Sequence, residues 1–414
     1  MKPDLLKRAL WFKGFSLSKA RKQMLEDASL PLRLASIVAY HKQHNPFYRE
    51  LLKDKRTDRF EDLPVLHKSD FQRPLRELLS DGFTLKNCYV NSTSGSTGTP
   101  FFFAKDKLAH ARSHYRIYEL YRQAGVTPTS KQARFYGIPL EIKAKRKERL
   151  KDFICNRVRF SVYDYSDDAL EEIFRRFART RFEYIYGYTS SIVCFAQYVL
   201  RKGVQLKDRT PSLKCCIVTS EVCTPEDKTL MECAFGIPVV REYGASEVGI
   251  IAFDTPECPL QVCNREVYLE TVDNRLLVTS LTNKAMPIIR YEIGDTGVLE
   301  THGNTQRLRQ LTGRVGDIIT LPSGKQTAAL TFYYVSRSML EHLGTVKEFV
   351  IKQIKADTFL FEAVADREFT AADVAFLQEE VQRYLEPGLL VILHRVSHIE
   401  RPENGKLKQF YSLV

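Results

Sequence analysis

Apolar and polar positions divide the chain into stretches of different rhythm. Residues 31–44 and 106–124 carry helical spacing. In the second, Asp106 stands where an N-cap belongs and Gly125 where a helix stops. Short apolar runs follow: Ala133–Ile138, Phe182–Tyr186, Leu213–Val218, Ile237–Val240 and Gly249–Phe253. Helical segments at Leu170–Phe177 and Ser190–Leu200 lie between them. Strands alternating with helices predict an α/β domain around a substantial sheet. From Val262 to Leu299 the strands crowd together, and Val267–Val272, the turn Asp273-Asn274 and Leu276–Leu281 read as a hairpin.

Beyond Gly313-Arg314-Val315-Gly316-Asp317 the pattern changes again. Phe332–Leu343 has helical spacing, and Phe349–Lys355 and Phe359–Ala365 flank an Ala356-Asp357 turn. Thr370 with Asp373 forms a capping-box pattern, and Val374, Leu377, Val381 and Leu385 share one helix face. Pro387 and Gly388 stop that helix, and Leu389–Val396 reads as a last strand. The expected architecture is a large N-terminal α/β domain over 1–315 and a small, mobile α+β domain over 316–414.

One stretch fits neither rhythm. Asn91-Ser92-Thr93-Ser94-Gly95-Ser96-Thr97-Gly98-Thr99-Pro100 contains hydroxyls, glycines, one amide and one proline, with no apolar side chain to bury. It joins the strand end Cys88-Tyr89-Val90 to the run Phe101-Phe102-Phe103, read as two buried segments. Glycines let a backbone approach a polyphosphate, exposed N–H groups form an anion-binding concavity, and hydroxyls add donors. An ordinary Ser/Gly hairpin loop is the bland alternative. A Walker loop is excluded, because no Gly-Lys-Ser/Thr follows the glycines.

Composition narrows the ligand less than the loop does. Hydrophobic residues make up 44% and charged residues 27%, enough for a large core. A formal net charge of +12 suits anionic ligands without choosing among nucleotides, phospholipid headgroups and nucleic acid. No apolar run is long enough to span a bilayer, and Lys2, Asp4, Lys7, Arg8 and Lys13 interrupt any signal-peptide core. Leu5, Leu6, Leu10, Trp11 and Phe12 interleave with those cations, so residues 1–15 could rest weakly on a membrane surface. Nine scattered cysteines without a Cys-x-x-Cys pair fit reduced thiols and a cytoplasmic address. Cys215 and Cys216 face opposite sides of one strand, as packing residues.

Further motifs follow the loop in order: Tyr243-Gly244-Ala245-Ser246-Glu247, then Arg290-Tyr291-Glu292-Ile293-Gly294-Asp295-Thr296-Gly297 with its acid in a Gly-bounded turn. Gly313-Arg314 comes next, and Asn404-Gly405-Lys406-Leu407-Lys408 lies near the end. Taken singly, Glu247 reads as a helix N-terminal acid, Asp295 as a turn residue, and Arg314 and Lys406 as solvated cations. Together the chain resembles the adenylate-forming superfamily of acyl- and aryl-CoA ligases. The phenylacetate-CoA ligase branch and its capsular-polysaccharide CapK-like relatives are the most similar. His44-Asn45-Pro46-Phe47-Tyr48-Arg49, Leu63–Asp70, Tyr186-Gly187-Tyr188-Thr189-Ser190 and Val218-Thr219-Ser220-Glu221 look like further signatures of that branch, so the likeness covers nearly the whole chain.

The resemblance implies an AMP-forming ligase. ATP would activate an aryl or acyl carboxylic acid to an acyl-adenylate, and a thiol, chiefly that of coenzyme A, would take the acyl group. By the same resemblance Thr93, Ser94, Gly95, Ser96, Thr97 and Gly98 cradle the β- and γ-phosphates. Glu247 holds Mg²⁺, Tyr243 beside Gly244 stacks on adenine, and Ser220 and Glu221 flank the base. Asp295 takes the ribose hydroxyls and Arg314 ribose and phosphate. Tyr136, Gly137 and Tyr186 line the acyl pocket, Gly316 and Asp317 form the hinge, and Lys406 bridges carboxylate and α-phosphate.

Three departures stand out. Phe101 occupies the place after the loop proline where lysine is common in the superfamily, and Gly316 that of the usual hinge acid. Cys258 and Cys263 lack the histidine partner of zinc-binding relatives, so no zinc is expected. An acceptor that is a carrier protein, or an amine on a sugar or lipid, is the enzyme alternative. A membrane- or nucleic-acid-binding protein that retains the fold is the non-enzyme one. No RNA-binding signature or zinc finger is present.

Overall fold

The computed structural model describes residues 5–92, 102–136, 142–160, 167–303, 305–314, 318–324, 326–328, 332, 335, 339, 343, 346–400 and 410–414. The chain forms two compact units, the first of residues 1–135, 146–160 and 177–311, the second of 136–145, 161–176 and 312–414.

In the first unit α1 (Leu5–Phe12), α2 (Leu17–Leu25), α3 (Leu30–His44) and α4 (Pro46–Leu52) precede any strand. Leu6 and Leu10 of α1 pack inward, while Trp11 and Phe12 are exposed by 66% and 80%. Next come β1 (Cys88–Ser92) and β2 (Phe102–Asp106), the strands before and after the Ser/Gly/Thr stretch, which pair antiparallel. The flanks of that stretch are not both buried as expected. Val90 and Phe102 are exposed, whereas the rest of β2, from Phe103 to Asp106, is buried. Asn283 pins its base: Asn283 Nδ2 donates to Ala104 O at 2.9 Å, and Asp106 N donates to Asn283 Oδ1 at 3.1 Å. Asp106 then caps α5 (Lys107–Gln123), accepting from the N–H groups of Leu108 and Ala109.

The central sheet is built from β3 (Gln132–Phe135), β4 (Arg157–Phe160), β5 (Tyr184–Tyr188), β6 (Cys215–Thr219), β7 (Val239–Ala245), β8 (Gly249–Phe253), β9 (Gln261–Val262), β10 (Val267–Val272), β11 (Arg275–Ser280), β12 (Tyr291–His302) and β13 (Thr305–Arg314). Their order is β10-β11-β12-β13-β9-β8-β7-β6-β5-β3-β4. The half from β4 to β7 is parallel, while β7–β8, β8–β9 and β10–β11–β12 are antiparallel. Helices α6 (Ile142–Ile154), α7 (Asp167–Arg179), α8 (Thr189–Arg201), α9 (Leu206–Arg209) and α10 (Pro225–Phe235) are interspersed with the parallel strands. The β10–β11 turn has Asp273 and Asn274 both at positive φ, the geometry that a two-residue hairpin requires.

The two sheet faces differ. On one, Phe135, Phe160, Phe177, Phe195 and Phe235 stack in sequence with ring centroids 5.2 to 6.0 Å apart. The other face meets α5 through Tyr121, Tyr184, Cys215 and Ile217. Cys215 and Cys216 are both buried, one on each face. Glu266 holds α5 in place, with Arg116 at 2.8 Å and Arg112 at 3.8 Å.

Buried His41 ties α3 to the same loop as Asn283. Its Nε2 lies 3.0 Å from the Asn283 carbonyl, which can only accept, so Nε2 carries the proton. Burial lowers the pKa of His41 from 6.5 to about 4. The native state therefore binds fewer protons than the unfolded one, and this stability is complete above pH 6.5 and lost as pH falls through 4. Burial depresses His110 and His114 in the same sense. The unfolding midpoint is expected to drop between pH 7 and 4. His41→Gln should begin lower at pH 7 and lose less over that range. Equal losses in both proteins would assign the acid sensitivity to other groups.

In the second unit β14 (Ile318–Thr320) pairs with β15 (Gln326–Ala328). Then β16 (Val346–Lys355), β17 (Thr358–Ala365), β18 (Leu390–Arg395) and β19 (Phe410–Ser412) form a sheet of order β18-β17-β16-β19. The helix α11 (Ala371–Tyr384) begins with the Thr370–Asp373 capping box and buries Leu377 and Val381, with Val374 half-buried and Leu385 buried at its end. Phe332, Val335, Met339 and Leu343 are helical and buried in the same core, in keeping with the expected helix. Among the described residues no helix is long and apolar enough to cross a membrane.

Candidate active site

The Tyr243–Glu247 motif is a tight hairpin rather than a helix start. Its first three residues end β7, and the chain returns along β8. A Cβ at Gly244 would stand 2.5 Å from the Gly249 carbonyl oxygen, so only glycine permits this closure. Glu247 is thereby held at the hairpin tip with 7% of its surface exposed. Tyr291 Oη donates to Glu247 Oε1 at 3.3 Å.

Asp295 corrects the sequence reading. It lies within β12, not in a turn. The register against β11 shifts between the pairs Leu277–Glu292 and Arg275–Thr296, and Gly294 in this bulge has φ +84°. A bulge re-aims a side chain without ending a strand, and here Asp295 Oδ2 accepts a 2.7 Å hydrogen bond from Tyr243 Oη. Two motifs 52 residues apart are thus joined directly.

Ser220 follows β6 with φ +70°, a backbone conformation uncommon outside glycine. Glu221 turns back to α8, and its Oε2 accepts from Ser190 N at 2.8 Å. That oxygen serves a helix N-terminus, where a carboxylate is electrostatically favoured. Tyr186 on β5 donates to Glu242 Oε1 at 3.0 Å, and Tyr121 donates to Glu242 Oε2 at 2.9 Å. Burial pushes the Glu242 carboxyl up, and these hydrogen bonds oppose the shift. The Arg134 guanidinium lies 4.8 Å from the Tyr186 ring centre. Tyr136 is half-buried just after β3, and Arg314 ends β13. Thr93, Ser94, Gly95, Ser96, Thr97, Gly98, Gly137, Gly316, Asp317 and Lys406 lie outside the described residues, as does the Arg314 side chain.

The structure adds residues that sequence reasoning did not single out. Tyr291 stood inside a quoted motif but had no role. Glu242 lies immediately before the Tyr243 motif and was not part of it. Lys105 gave one unused signal, a lysine directly after the apolar run Phe101–Ala104. It is buried close to Glu247, and burial lowers its pKa to about 8 against the opposing pull of that carboxylate.

A magnesium ion fits this centre as one shared with phosphate oxygens. Glu247 offers one carboxylate, and no group of three or more potential ligands gathers among the described residues. Magnesium usually takes one or two carboxylates and fills its shell with phosphate and water.

No family model matches the chain. In 2-hydroxyisobutyryl-CoA ligase, solved in the postadenylation state with 2-HIB-AMP, the same fold recurs with TM-score 0.68 and 17% identity over 92% of this chain and 88% of that one. The chain has the fold of the adenylate-forming ligases. Two curated proteins are its distant homologues. Indoleacetate–lysine synthetase of Pseudomonas savastanoi is 23% identical over 369 residues, 85% of this chain and 89% of that protein. CapK of Staphylococcus aureus is 23% identical over 309 residues, 69% of this chain and 67% of its own.

Proposed function

We propose that this protein is an AMP-forming ligase that activates a small carboxylic acid with ATP and transfers the acyl group to a nucleophile. The observation that carries the reading is the Tyr243–Asp295 hydrogen bond beside the Tyr291–Glu247 contact. It gathers an aromatic ring for a base, a carboxylate for ribose hydroxyls and a carboxylate for a phosphate-bound cation.

In the first step the substrate carboxylate attacks the α-phosphorus. The bond from that phosphorus to the bridging oxygen breaks, and pyrophosphate leaves with the electron pair. Such a step needs positioning and charge neutralisation more than covalent help. The loop from Thr93 to Gly98 binds the β- and γ-phosphates, Asp295 orients ribose, and Lys406 lies between carboxylate and α-phosphate. Bound Mg²⁺, held by Glu247, would neutralise phosphate charge. In the second step a nucleophile attacks the acyl carbon, AMP departs, and the nucleophile's proton passes to solvent or a base. Domain rotation about Gly316 and Asp317 would exchange the surroundings of the acyl carbon between the steps.

Coenzyme A is the proposed acceptor, and the name of the Pseudomonas relative supports an amine as the second reading. Acid-dependent exchange of labelled pyrophosphate into ATP tests the first step. Product analysis with coenzyme A in one arm and lysine in the other separates thioester from amide. Exchange that fails with every acid would sink the proposal.

A peripheral contact of residues 1–15 with anionic lipid is a separate part of the proposal, supported by outward Trp11 and Phe12. Co-sedimentation with anionic vesicles should weaken with salt and vanish in a Trp11→Ser, Phe12→Ser variant. Equal sedimentation of that variant would remove this element.

A further inference from the structure

On the sheet face against α5, β5 and β6 start closed to water. Tyr184, Cys215 and Ile217 are buried there, and Val240 on β7 packs with them. Two residues further along, the same face of β6 and β7 turns polar, at Thr219 and Glu242, the last pair of their parallel register. Arg134 on β3 lies level with Tyr186 on β5, its guanidinium 4.8 Å from that ring centre. Tyr186 Oη donates to Glu242 Oε1 at 3.0 Å, so the three side chains form one connected row. All three are half-buried although β3, β5 and β7 are interior strands, so water reaches this end of the face. Ligands of parallel sheets bind towards the carboxyl ends of the strands, the end at which Thr219 and Glu242 stand.

A carboxylate has about four acceptor directions. Tyr186 donates to Glu242 Oε1 and Tyr121 to Oε2, and the Thr219 hydroxyl and the Arg134 charge favour the same ionised group. These donors leave an acceptor direction that water fills in the free protein. A side chain needed only for packing would be apolar here, as Ile217 and Val240 are at the preceding positions of this face. A ligand that displaces water from a half-buried carboxylate must replace the lost hydrogen bond, because an acceptor buried unpaired is costly.

We propose that Glu242 determines which acid is adenylated, by accepting a hydrogen bond from a neutral donor, a hydroxyl or an amino group, that the acid carries away from its reacting carboxylate. This rests on the adenylating reading, with Tyr186 lining the acyl pocket. Tyr186 commits its hydroxyl to Glu242 and offers the acid ring surface, while Glu242 supplies the polar contact. An alkyl or ether group in the donor's place leaves the acceptor unpaired. Glu242 thus sets specificity and takes no part in bond making.

Pyrophosphate exchange with matched acids tests it: aliphatic and aryl hydroxy acids of graded length, the corresponding amino-substituted acids, the unsubstituted acids and the methyl ethers. At least one donor-bearing acid is expected to exceed its unsubstituted and ether counterparts by about tenfold or more in kcat/KM, as a site built for a polar group rejects the analogue lacking it. Glu242→Gln should collapse that ratio towards one, mainly through KM, with ATP·Mg²⁺ affinity by calorimetry near wild type. Glu242→Asp keeps the charge and retracts it by one methylene, so the preferred acid should become a longer one. Donor-free acids that match the donor-bearing ones in wild type overturn the proposal. Equal losses with both kinds of acid in both variants leave the ratio unchanged, give Glu242 a structural role only, and also overturn it. Exchange from donor-free acids alone rejects the proposal and leaves the ligase reading standing, whereas no exchange with any acid removes both.

Discussion

Lys406→Ala is expected to slow acyl-adenylate formation by about 100-fold or more, the scale on which removing one preorganised electrostatic stabiliser acts. A carboxylate approaching a triphosphate meets repulsion at the atom it must attack, and a lysine between the two relieves it as the new bond forms. That stabilisation grows in the transition state, so the loss should fall on kcat for pyrophosphate exchange more than on ATP affinity. The acyl-adenylate carries less charge at its acyl carbon, so thioester formation from supplied acyl-adenylate should be largely spared. Gly316→Pro is expected to do the reverse, because proline fixes φ and restricts a hinge. An adenylation rate within about tenfold of wild type, a barrier change of only ~1.4 kcal/mol, would show that Lys406 is not the catalytic cation.

Glu247→Gln should produce the second large effect, and its sign depends on the metal. The wild-type carboxylate is buried, with Tyr291 donating to it and Lys105 close by. The amide keeps the shape and removes the charge. Pyrophosphate exchange is expected to fall by about 100-fold at low Mg²⁺ and to recover in part as Mg²⁺ is raised, since a hard cation prefers carboxylate oxygen. Calorimetry with ATP should show the same shift in metal dependence. A loss that Mg²⁺ cannot relieve would instead mean that the carboxylate orients Tyr291 and Lys105 and does not hold the ion. Undetectable binding at millimolar ATP·Mg²⁺ by folded wild-type protein would remove the nucleotide site altogether.

Sequence alone determined the local elements wherever one short-range signal governs them. The Asp106 cap, the Thr370–Asp373 capping box and the Asp273-Asn274 hairpin are each set within a few residues, and all are present. The alternating strands and helices made the α/β class legible, and the order of motifs made the ligase fold legible. Tertiary structure alone decided how the motifs meet. Tyr243 reaches Asp295 although β13, β9 and β8 separate β12 from β7 in the sheet order, with the bulge at Gly294 re-aiming the acid. A bulge adds residues without changing hydrophobic rhythm, so Asp295 read as a turn. Glu242 likewise had no linear signature, since its hydroxyl donors Tyr121 and Tyr186 come from α5 and β5. Such groups become a signal only where folding removes water from around them, and burial is a property of the assembled sheet and α5, not of any one segment.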